Sequence, residues 1–320
     1  MSRILIITPA SRQSRVGNRI TADRWATILR SLNHRLKVDD RYDDQPCDIL
    51  IALHARKSAA AVERFAAKYP LKPLIVALTG TDLYSDIHNS PAAQRSLEFA
   101  SRLVLLQPHG QHELQRRFLP KVRVIYQSAN APTKSVPRLK RVFEICVSGH
   151  LRPVKDPLRA ALAARRLPPD SRVQITHVGA ALSESLERRA LAEVRKNSRY
   201  RWLGEVSRGQ ALRLLSRSRL MVLSSKMEGG ANVVTEALVA GVPILSTHIS
   251  GSIGLLGKDY PGYFQVGDTR GLAELMFRCE TDPNFYHALK TLCHQQSRLL
   301  APRHERAAWA KLIREFEPYA

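Results

Sequence analysis

The sequence predicts an α/β protein of two consecutive doubly wound domains that face each other across a cleft, each with a parallel sheet covered by helices. The chain has 320 residues, more than a single hydrophobic core usually serves. Short apolar runs alternate with helical patterns, which is typical of parallel sheets covered on both faces. The alternation stops once and then restarts. We therefore expect domains at 1–130 and 142–302, joined by a linker at 131–141.

Each predicted strand is a run of apolar residues bounded by polar or turn-forming ones, and each predicted helix has apolar residues at helical spacing. The strands of the first domain are predicted at Ile4–Thr8, Ile49–Leu53, Leu74–Leu78, Leu103–Leu106 and Val122–Tyr126. Its helices are predicted at Arg19–Leu32, Ala59–Tyr69, Ala92–Ala100 and Gln111–Phe118. The strands of the second domain are predicted near Phe143–Val147, Gln174–Val178, Arg201–Leu203, Met221–Leu223 and Ile244–Ser246. A last helix, within 303–320, is expected to cross back onto the first domain.

Composition narrows the classes of function. A formal net charge of +22, spread over both halves of the chain, favours anionic ligands. Aromatic residues make up only 6% and do not interleave with the basic ones, so nucleic acid is not expected as the primary ligand. No run approaches the ~18 apolar residues of a membrane span, and a strand begins at Arg3, so we expect a cytoplasmic protein. The four cysteines lack metal-ligand spacing and predict neither a zinc site nor disulfides.

The most informative motif pairs Glu228 with Glu236 across seven residues that begin with Gly229, Gly230 and Ala231. An apolar strand precedes it, and a helix predicted at Val233–Ala240 follows it. A strand-to-helix turn aims backbone N–H groups and the positive end of a helix at its ligand, which suits a diphosphate. The flanking carboxylates can accept hydrogen bonds from sugar and ribose hydroxyls. The motif predicts a nucleotide-sugar site.

A second basic loop follows the first strand of the second domain. Gly149, His150, Arg152 and Lys155 lie close together there, and such cations can stabilise a leaving diphosphate. The first domain has three comparable loops at the carboxyl ends of its strands, where ligands of parallel sheets bind. They contain the candidates for binding an anionic substrate: Gly17, Asn18, Arg19, His54, Arg56, Lys57 and Thr81.

With both the basic loop and the paired glutamates in place, the chain resembles the retaining glycosyltransferases that carry an E-x7-E motif on two Rossmann-like domains, the GT-B architecture. The resemblance implies that Glu236 holds the donor ribose and Glu228 contacts the donor sugar. It also implies that Gly229, Gly230, Ala231 and Asn232 line the donor site, together with Gly149. The family usually has Gly-Arg-Leu followed by Lys in the basic loop. Here His150 replaces that arginine, Lys155 matches the lysine, and Arg152 lies two residues on, so the phosphate contact could fall to His150 or to Arg152.

A narrower resemblance rests on four segments of the first domain. The segments 17–25, 52–58, 78–84 and 124–129 are similar to those of the selenosugar synthases of selenoneine biosynthesis. This resemblance implies transfer of glucose or N-acetylglucosamine from a UDP-sugar to selenophosphate. Arg152, Lys155, His150 and Glu228 are then the candidate catalytic residues. No cofactor is expected, and because no Asp-x-Asp sequence occurs, we predict metal-independent transfer.

Two other functions fit the same sequence. An oxygen acceptor, such as a sugar, lipid or small alcohol, would benefit from a general base, for which His54 and Asp82 are available. A basic module that docks on anionic membranes or nucleic acid would use the α/β domains only as a scaffold. The preferred sugar, the anomeric outcome and the oligomeric state stay open.

Overall fold

A computed structural model describes residues 1–11, 17–131 and 136–316. Parts of the predicted first loop, linker and C-terminal segment lie outside these ranges, at residues 12–16, 132–135 and 317–320. The described chain divides into two compact α/β units. The first comprises Met1–Ser128, Glu228–Ala231 and Pro302–Ala320, and the second comprises Ala129–Met227 and Asn232–Ala301.

Each unit contains one parallel sheet of six strands and its covering helices. The strands are β1 (Arg3–Ile7), β2 (Arg35–Asp39), β3 (Ile49–Leu53), β4 (Leu74–Leu78), β5 (Arg102–Leu105), β6 (Val122–Val124), β7 (Phe143–Ser148), β8 (Val173–Val178), β9 (Tyr200–Trp202), β10 (Leu220–Leu223), β11 (Ile244–Thr247) and β12 (Tyr263–Phe264). The helices are α1 (Gly17–Ser31), α2 (Ala59–Lys68), α3 (Ile87–Asn89), α4 (Pro91–Phe99), α5 (Arg159–Ala164), α6 (Glu184–Lys196), α7 (Arg208–Arg217), α8 (Asn232–Val239), α9 (Ser250–Leu256), α10 (Thr269–Thr281), α11 (Pro283–Ser297) and α12 (Pro302–Arg314).

The first sheet has the strand order β2-β1-β3-β4-β5-β6, and every pairing in it is parallel. Strands β3 and β4 are buried along their whole length because helices cover both faces. One core lies between the sheet and α2 and α4, and includes Val62 and Leu97. The other lies between the sheet and α1 and α12, where the rings of Trp25 and Trp309 pack edge to face at 4.8 Å.

The second sheet has the order β12-β11-β10-β7-β8-β9 and is also wholly parallel. Its central strands β7 and β10 are buried, as near-continuous apolar runs require. The two-domain, doubly wound fold that the sequence predicts is therefore confirmed.

The sequence missed or misjudged elements where the apolar signal was weak. Edge strand β2 alternates charged and apolar residues, and β12 has only two residues, so neither forms an apolar run. The predicted helix Gln111–Phe118 is wrong. Two short 3-10 segments, Pro108–Glu113 and Arg116–Lys121, occupy this region instead. The backbone is extended at Leu114 and Gln115, so no continuous helical hydrogen-bond ladder runs through 111–118.

Helix α12 packs on the first unit through Trp309, Leu312 and Ile313, which are buried in the same core as α1. Just beyond its end, Glu315 pairs with Arg102 and Arg123 of the sheet at 2.6 Å. These pairs attach the end of α12 to strands β5 and β6.

We expect Glu315→Gln to destabilise the protein modestly at neutral pH, by about 1 kcal/mol, since the groups are partly exposed. The hydrogen bond from Arg123, assisted by Arg102, holds the pKa of Glu315 below its ordinary value against the opposing effect of burial. A lowered carboxyl pKa stabilises the fold above the unfolded-state pKa, and this contribution is lost as pH falls through the folded-state pKa. Thermal melts of both proteins should therefore differ at pH 7 and converge in acid. A constant difference at every pH would contradict this assignment.

Among the described residues, none of the helices combines the length and the apolar character that crossing a membrane demands.

Candidate functional site

Ligands of doubly wound sheets bind where the strand order reverses, because the loops leaving the strands on either side of that point diverge and open a crevice. In the second sheet, β7 has β8 on one side and β10 on the other. In the first sheet, β1 lies between β2 and β3 in the same way. The loops after β7 and β10, and those after β1 and β3, are therefore where bound ligands are expected in each unit.

The two loops at the reversal point of the second sheet hold each other. Pro153–Lys155 form a 3-10 turn that ends at Asp156, whose φ of 43° is left-handed. The hydroxyl of Ser224, just after β10, lies 3.0 Å from the carbonyl oxygen of Lys155 and 2.9 Å from that of Asp156. The backbone N–H of Lys226 donates to the carbonyl of Val154 at 2.8 Å. These bonds fix the backbone that carries Lys155.

The start of the loop after β7 packs closely against the residue that follows β8. Gly179, at the end of β8, has a φ of +144°, and a Cβ there would lie only 2.0 Å from the carbonyl oxygen of Gly149. The indole N–H of Trp202 donates to the carbonyl of Gly179 at 2.8 Å. A glycine at 179 is therefore required for the close approach of the two loops, and it determines the path of Gly149 and His150.

Glu236 lies in the middle of α8 and pairs with Arg208, the first residue of α7, at 2.8 Å. Its side chain is 16% exposed, whereas that of Arg208 is 53% exposed. A capping box between Ser207 and Gln210 fixes the beginning of α7 and so the backbone of Arg208. The predicted ribose-binding carboxylate is thus oriented by a cation that the sequence motif does not contain.

The turn Glu228–Ala231 groups with the first unit. A Cβ on Gly229 would lie 2.6 Å from the carbonyl group of Thr79, and one on Gly230 would lie 2.5 Å from the Cβ of Leu106. Only glycine fits at either position without a shift of its neighbours. The small residues of the motif are therefore required by packing, whatever the backbone binds.

His54 follows β3 and has a φ of 75°, an uncommon conformation for a residue other than glycine. Its ring is almost wholly buried. Nδ1 accepts a long hydrogen bond from the N–H of Lys57 at 3.4 Å, and Nε2 lies 3.4 Å from the hydroxyl of Thr81 and 3.7 Å from Asp86. Burial lowers the pKa of His54, while Asp82 and Asp86 act in the opposite direction. Strained residues of this kind often occur at functional sites.

Asp82 has a structural role. Its carboxylate is completely buried and accepts hydrogen bonds from the backbone N–H groups of Ala55 at 3.0 Å, Gly80 at 2.8 Å and Thr79 at 3.1 Å. It therefore ties the loop after β4 to the loop after β3. Both oxygens are used in this way, so Asp82 is a poor candidate for the base of an oxygen-transfer reaction.

The predicted acceptor-binding cations of the first unit are partly paired. Arg56 Nε lies 2.9 Å from Asp86, and Arg19, near the start of α1, makes a helical ion pair with Asp23 at 2.9 Å. Lys57 is exposed beside Arg56 at the start of α2. Gly17 and Asn18 form the first turn of α1, where backbone N–H groups lack helical partners and suit an anion.

Comparison with known protein families indicates which family the chain resembles. Residues 133–291 match the model of the family described as glycosyl transferases group 1. The chain carries a group 1 glycosyltransferase domain. Nearly all of this domain lies in the second unit, which contains the β7 loop and Glu236. A search of curated protein sequences finds no significant match to the chain.

Solved structures show the same fold at low sequence identity. The Anabaena protein Alr3699/HepE, in complex with UDP-glucose, is 16% identical, with a TM-score of 0.77 over 98% of this chain and 100% of that one. Sucrose-phosphate synthase from Thermosynechococcus elongatus is 14% identical, with a TM-score of 0.80 over the whole of both chains. A glycosyltransferase from Rickettsia africae is 13% identical, with a TM-score of 0.73 over 99% of each. These likenesses confirm the GT-B fold class.

In the group 1 domain, the structure brings several predicted residues to one edge of the second sheet. Gly149, His150, Arg152 and Lys155 follow β7 on one side of the reversal point. Asn232 and Glu236 lie in the helix after β10, on its other side. The predicted acceptor residues collect at the carboxyl edge of the first sheet, in the loops or helix starts after β1, β3 and β4. Their roles in binding and catalysis remain predictions.

The structure also reveals residues that sequence reasoning missed. Arg208, Ser224 and Asp86 each contact a predicted site residue. No local motif marks them, because their partners are distant in the sequence. Thr8 and Gln107 follow β1 and β5 at the carboxyl edge of the first sheet. Each has a buried side-chain oxygen without a hydrogen-bond partner among the described residues.

Part of the narrower sequence resemblance reflects packing. Arg24 donates to the side-chain oxygen of Gln127 at 2.6 Å. Trp25 and Ser128 both donate to the buried carboxylate of Glu305 in α12. Two of the four similar segments, 17–25 and 124–129, thus meet in one buried polar network, and these side chains are used for the fold.

Proposed function

We propose that the protein transfers glucose or N-acetylglucosamine from a UDP-sugar to selenophosphate, forming a selenosugar in the biosynthesis of selenoneine. The observation that carries the donor half is the group 1 domain with a cationic loop at its strand-reversal point. The acceptor half rests on the sequence resemblance of the first unit. We place the reaction in the cytoplasm.

The second unit offers what a nucleotide diphosphate needs. Arg152 and Lys155 are cations on a loop whose backbone is fixed by Ser224 and Lys226. Positioned cations stabilise the charge that develops on a departing diphosphate. Glu236, oriented by Arg208, can accept hydrogen bonds from the ribose hydroxyls. The solved complex of HepE with UDP-glucose supports the choice of a UDP-sugar, because it has the same fold.

The first unit offers cations, and its two candidate bases already accept hydrogen bonds. The carboxylate of Asp82 accepts three backbone N–H groups, and Nδ1 of His54 accepts a fourth. An oxygen acceptor would need a base for its proton, whereas selenophosphate is already an anionic nucleophile. The cations Arg56 and Lys57, just before the N-terminus of α2, suit a small multiply charged anion. These features favour selenophosphate over an alcohol acceptor.

The chemistry balances without an added oxidant or reductant. A selenium lone pair forms the bond to the anomeric carbon while the bond from that carbon to the β-phosphate oxygen breaks. The electron pair leaves with UDP, where Arg152 and Lys155 would stabilise it. Hydrolysis of the P–Se bond then gives a selenol sugar and phosphate. We propose that the transfer itself needs no metal, so activity should persist in EDTA.

The test is a mass-spectrometric assay of the purified protein with UDP-glucose or UDP-N-acetylglucosamine and enzymatically generated selenophosphate. Release of UDP together with a selenium-containing sugar is the expected result. Turnover of the UDP-sugar with a sugar or lipid alcohol, and none with selenophosphate, would show that the acceptor is an alcohol and not selenophosphate. No binding of either donor would overturn the donor site as well.

Arg208 provides a separate check on the donor site. We expect Arg208→Ala to weaken UDP binding by about three- to tenfold, because an exposed ion pair contributes modestly and Glu236 loses its orienting partner. Isothermal titration calorimetry with UDP measures this. Arg213→Ala, in the same helix, is the matched control and should bind as the wild type does. Equal affinity of Arg208→Ala and wild type would show that Glu236 does not depend on this pair.

A further inference from the structure

The loop after β7 is an extension of the pairing between β7 and β8. The N–H of Gly149 donates to the carbonyl of Val178 at 2.9 Å, and the N–H of Leu151 donates to that of Ala180 at 2.8 Å. His150 lies between these two bonds. Its Nδ1 accepts a hydrogen bond from the backbone N–H of Ala180 at 3.1 Å. The imidazole is therefore attached to the backbone of the neighbouring loop.

This bond determines the tautomer of His150. A ring nitrogen that accepts from an N–H has no proton of its own, so a neutral His150 carries its proton on Nε2. Protonation of Nδ1 would set one N–H against another and break the bond. Burial lowers the pKa of His150, and Arg152 and Lys155 lower it further, against the effect of Glu205. Geometry and charge both favour the neutral ring.

A second histidine, His177, contacts the same loop through the carbonyl of Gly149. His177 in β8 is 1% exposed, and its Nε2 lies 3.1 Å from the carbonyl oxygen of Gly149. A carbonyl can only accept, so Nε2 of His177 carries the proton. Nδ1 then accepts from the hydroxyl of Tyr200 at 3.0 Å. Burial lowers the pKa of His177 to about 4, which keeps this ring neutral at physiological pH.

We infer that His150 is a neutral hydrogen-bond donor, through Nε2–H, to a diphosphate oxygen of the nucleotide, and that His177 and Tyr200 are positioning residues that hold its loop. This inference rests on the proposed function. In this inference, Arg152 and Lys155 supply the positive charge that stabilises the diphosphate, and His150 supplies a directional hydrogen bond. We call the hydrogen bonds that run from the Tyr200 hydroxyl through His177 to Gly149, the residue before His150, the relay.

The tautomers can be measured without any ligand. Long-range ¹⁵N–¹H correlation spectra of the histidine rings, assigned with His150→Gln and His177→Gln, should show both rings neutral and protonated on Nε2 at pH 7. A His150 imidazolium at pH 7, or a proton on its Nδ1, would overturn the inference. This readout does not depend on whether the protein transfers a sugar.

UDP binding at pH 8, measured by isothermal titration calorimetry, tests the role in the site. His150→Gln retains an N–H donor and should bind within about threefold of wild type, whereas His150→Ala should bind about tenfold or more weakly, as loss of a hydrogen bond to a charged group implies. Tyr200→Phe removes the hydroxyl that donates to Nδ1 of His177, so it should shift the Nδ1 resonance of that ring while Nε2 stays protonated, and it should weaken binding a few fold. His287→Gln, an exposed histidine on α11, is the control and should bind normally.

The outcomes separate the inference from the proposed function. If wild-type protein does not bind UDP while both rings show the expected tautomers, the proposed function fails and the relay is only structural, so the inference fails with it. If wild-type protein binds UDP and His150→Ala binds equally well, the donor role of His150 is wrong while the proposed function stands. An unchanged His177 spectrum in Tyr200→Phe would remove Tyr200 from the relay.

Discussion

Replacing Lys155 by alanine is expected to lower kcat/KM for transfer from a UDP-sugar by about 100- to 1,000-fold, the usual effect of removing one group that stabilises transition-state charge. The structure supports this size because the lysine stands on a backbone held by Ser224 and Lys226. A fixed backbone limits the positions that the lysine side chain can take as negative charge develops on UDP. Arg152→Ala should have an effect in the same range.

The controls distinguish charge from position. Lys155→Arg retains the charge with a different geometry and should recover part of the activity. Ser224→Ala removes only the hydroxyl that contacts the carbonyls of Lys155 and Asp156, and it should lower kcat/KM less than Lys155→Ala does. Lys258→Ala removes an exposed lysine elsewhere in the second unit and should leave kcat/KM unchanged. If Lys155→Ala melted at the wild-type temperature and kept wild-type kcat/KM, the assigned catalytic role would be wrong.

Replacing Glu305 by alanine is expected to destabilise the first unit by about 3–5 kcal/mol, the cost of removing one partner from a buried ionic network. Glu305 is 1% exposed. Its carboxylate accepts from the indole of Trp25 at 2.8 Å, the guanidinium of Arg24 at 3.2 Å, and the backbone N–H of Ser128 at 2.8 Å. Alanine would leave these donors, and the Ser128 hydroxyl that also donates to Glu305, without this acceptor, next to a cavity in the packing between α1 and α12.

Tryptophan fluorescence during urea unfolding measures this effect, because Trp25 and Trp309 are both buried in this core. Glu305→Gln keeps the shape of the side chain and one acceptor, so it should be destabilised less than Glu305→Ala. Glu98→Ala, which removes a half-exposed partner of Arg117, should stay within about 0.5 kcal/mol of wild type. Equal midpoints for Glu305→Ala and wild type would mean that the network contributes nothing to stability.

Much of the fold could be predicted because buried parallel strands have a strong local signal. Strands β3 and β4 have the predicted bounds, since both consist wholly of apolar residues. Edge strand β2 was missed because one of its faces meets solvent and its residues alternate. The 3-10 segments after β5 were mistaken for a helix because apolar spacing alone does not report the extended backbone at Leu114 and Gln115 that separates them.

The candidate site was predictable as a set of loops, but the roles of individual side chains were not. Asp82 has the same polar character in the sequence as Thr81, yet its carboxylate is completely enclosed by backbone N–H groups. Arg24 and Trp25 belong to a segment that resembles the selenosugar synthases, and in the structure both hold α12. Local sequence does not record which distant groups a side chain will meet.

The sequence by itself determined the class of fold, the number of domains and the segments that carry candidate chemistry, because apolar periodicity, turn residues and charge are local properties. Only the tertiary structure decided which of those residues are oriented by partners, which are enclosed, and which tautomers His150 and His177 adopt. Those properties depend on contacts such as Arg208 with Glu236, Ser224 with Lys155 and Ala180 with His150. The partners lie 28 to 69 positions apart in the sequence and meet only when the sheet orders its strands.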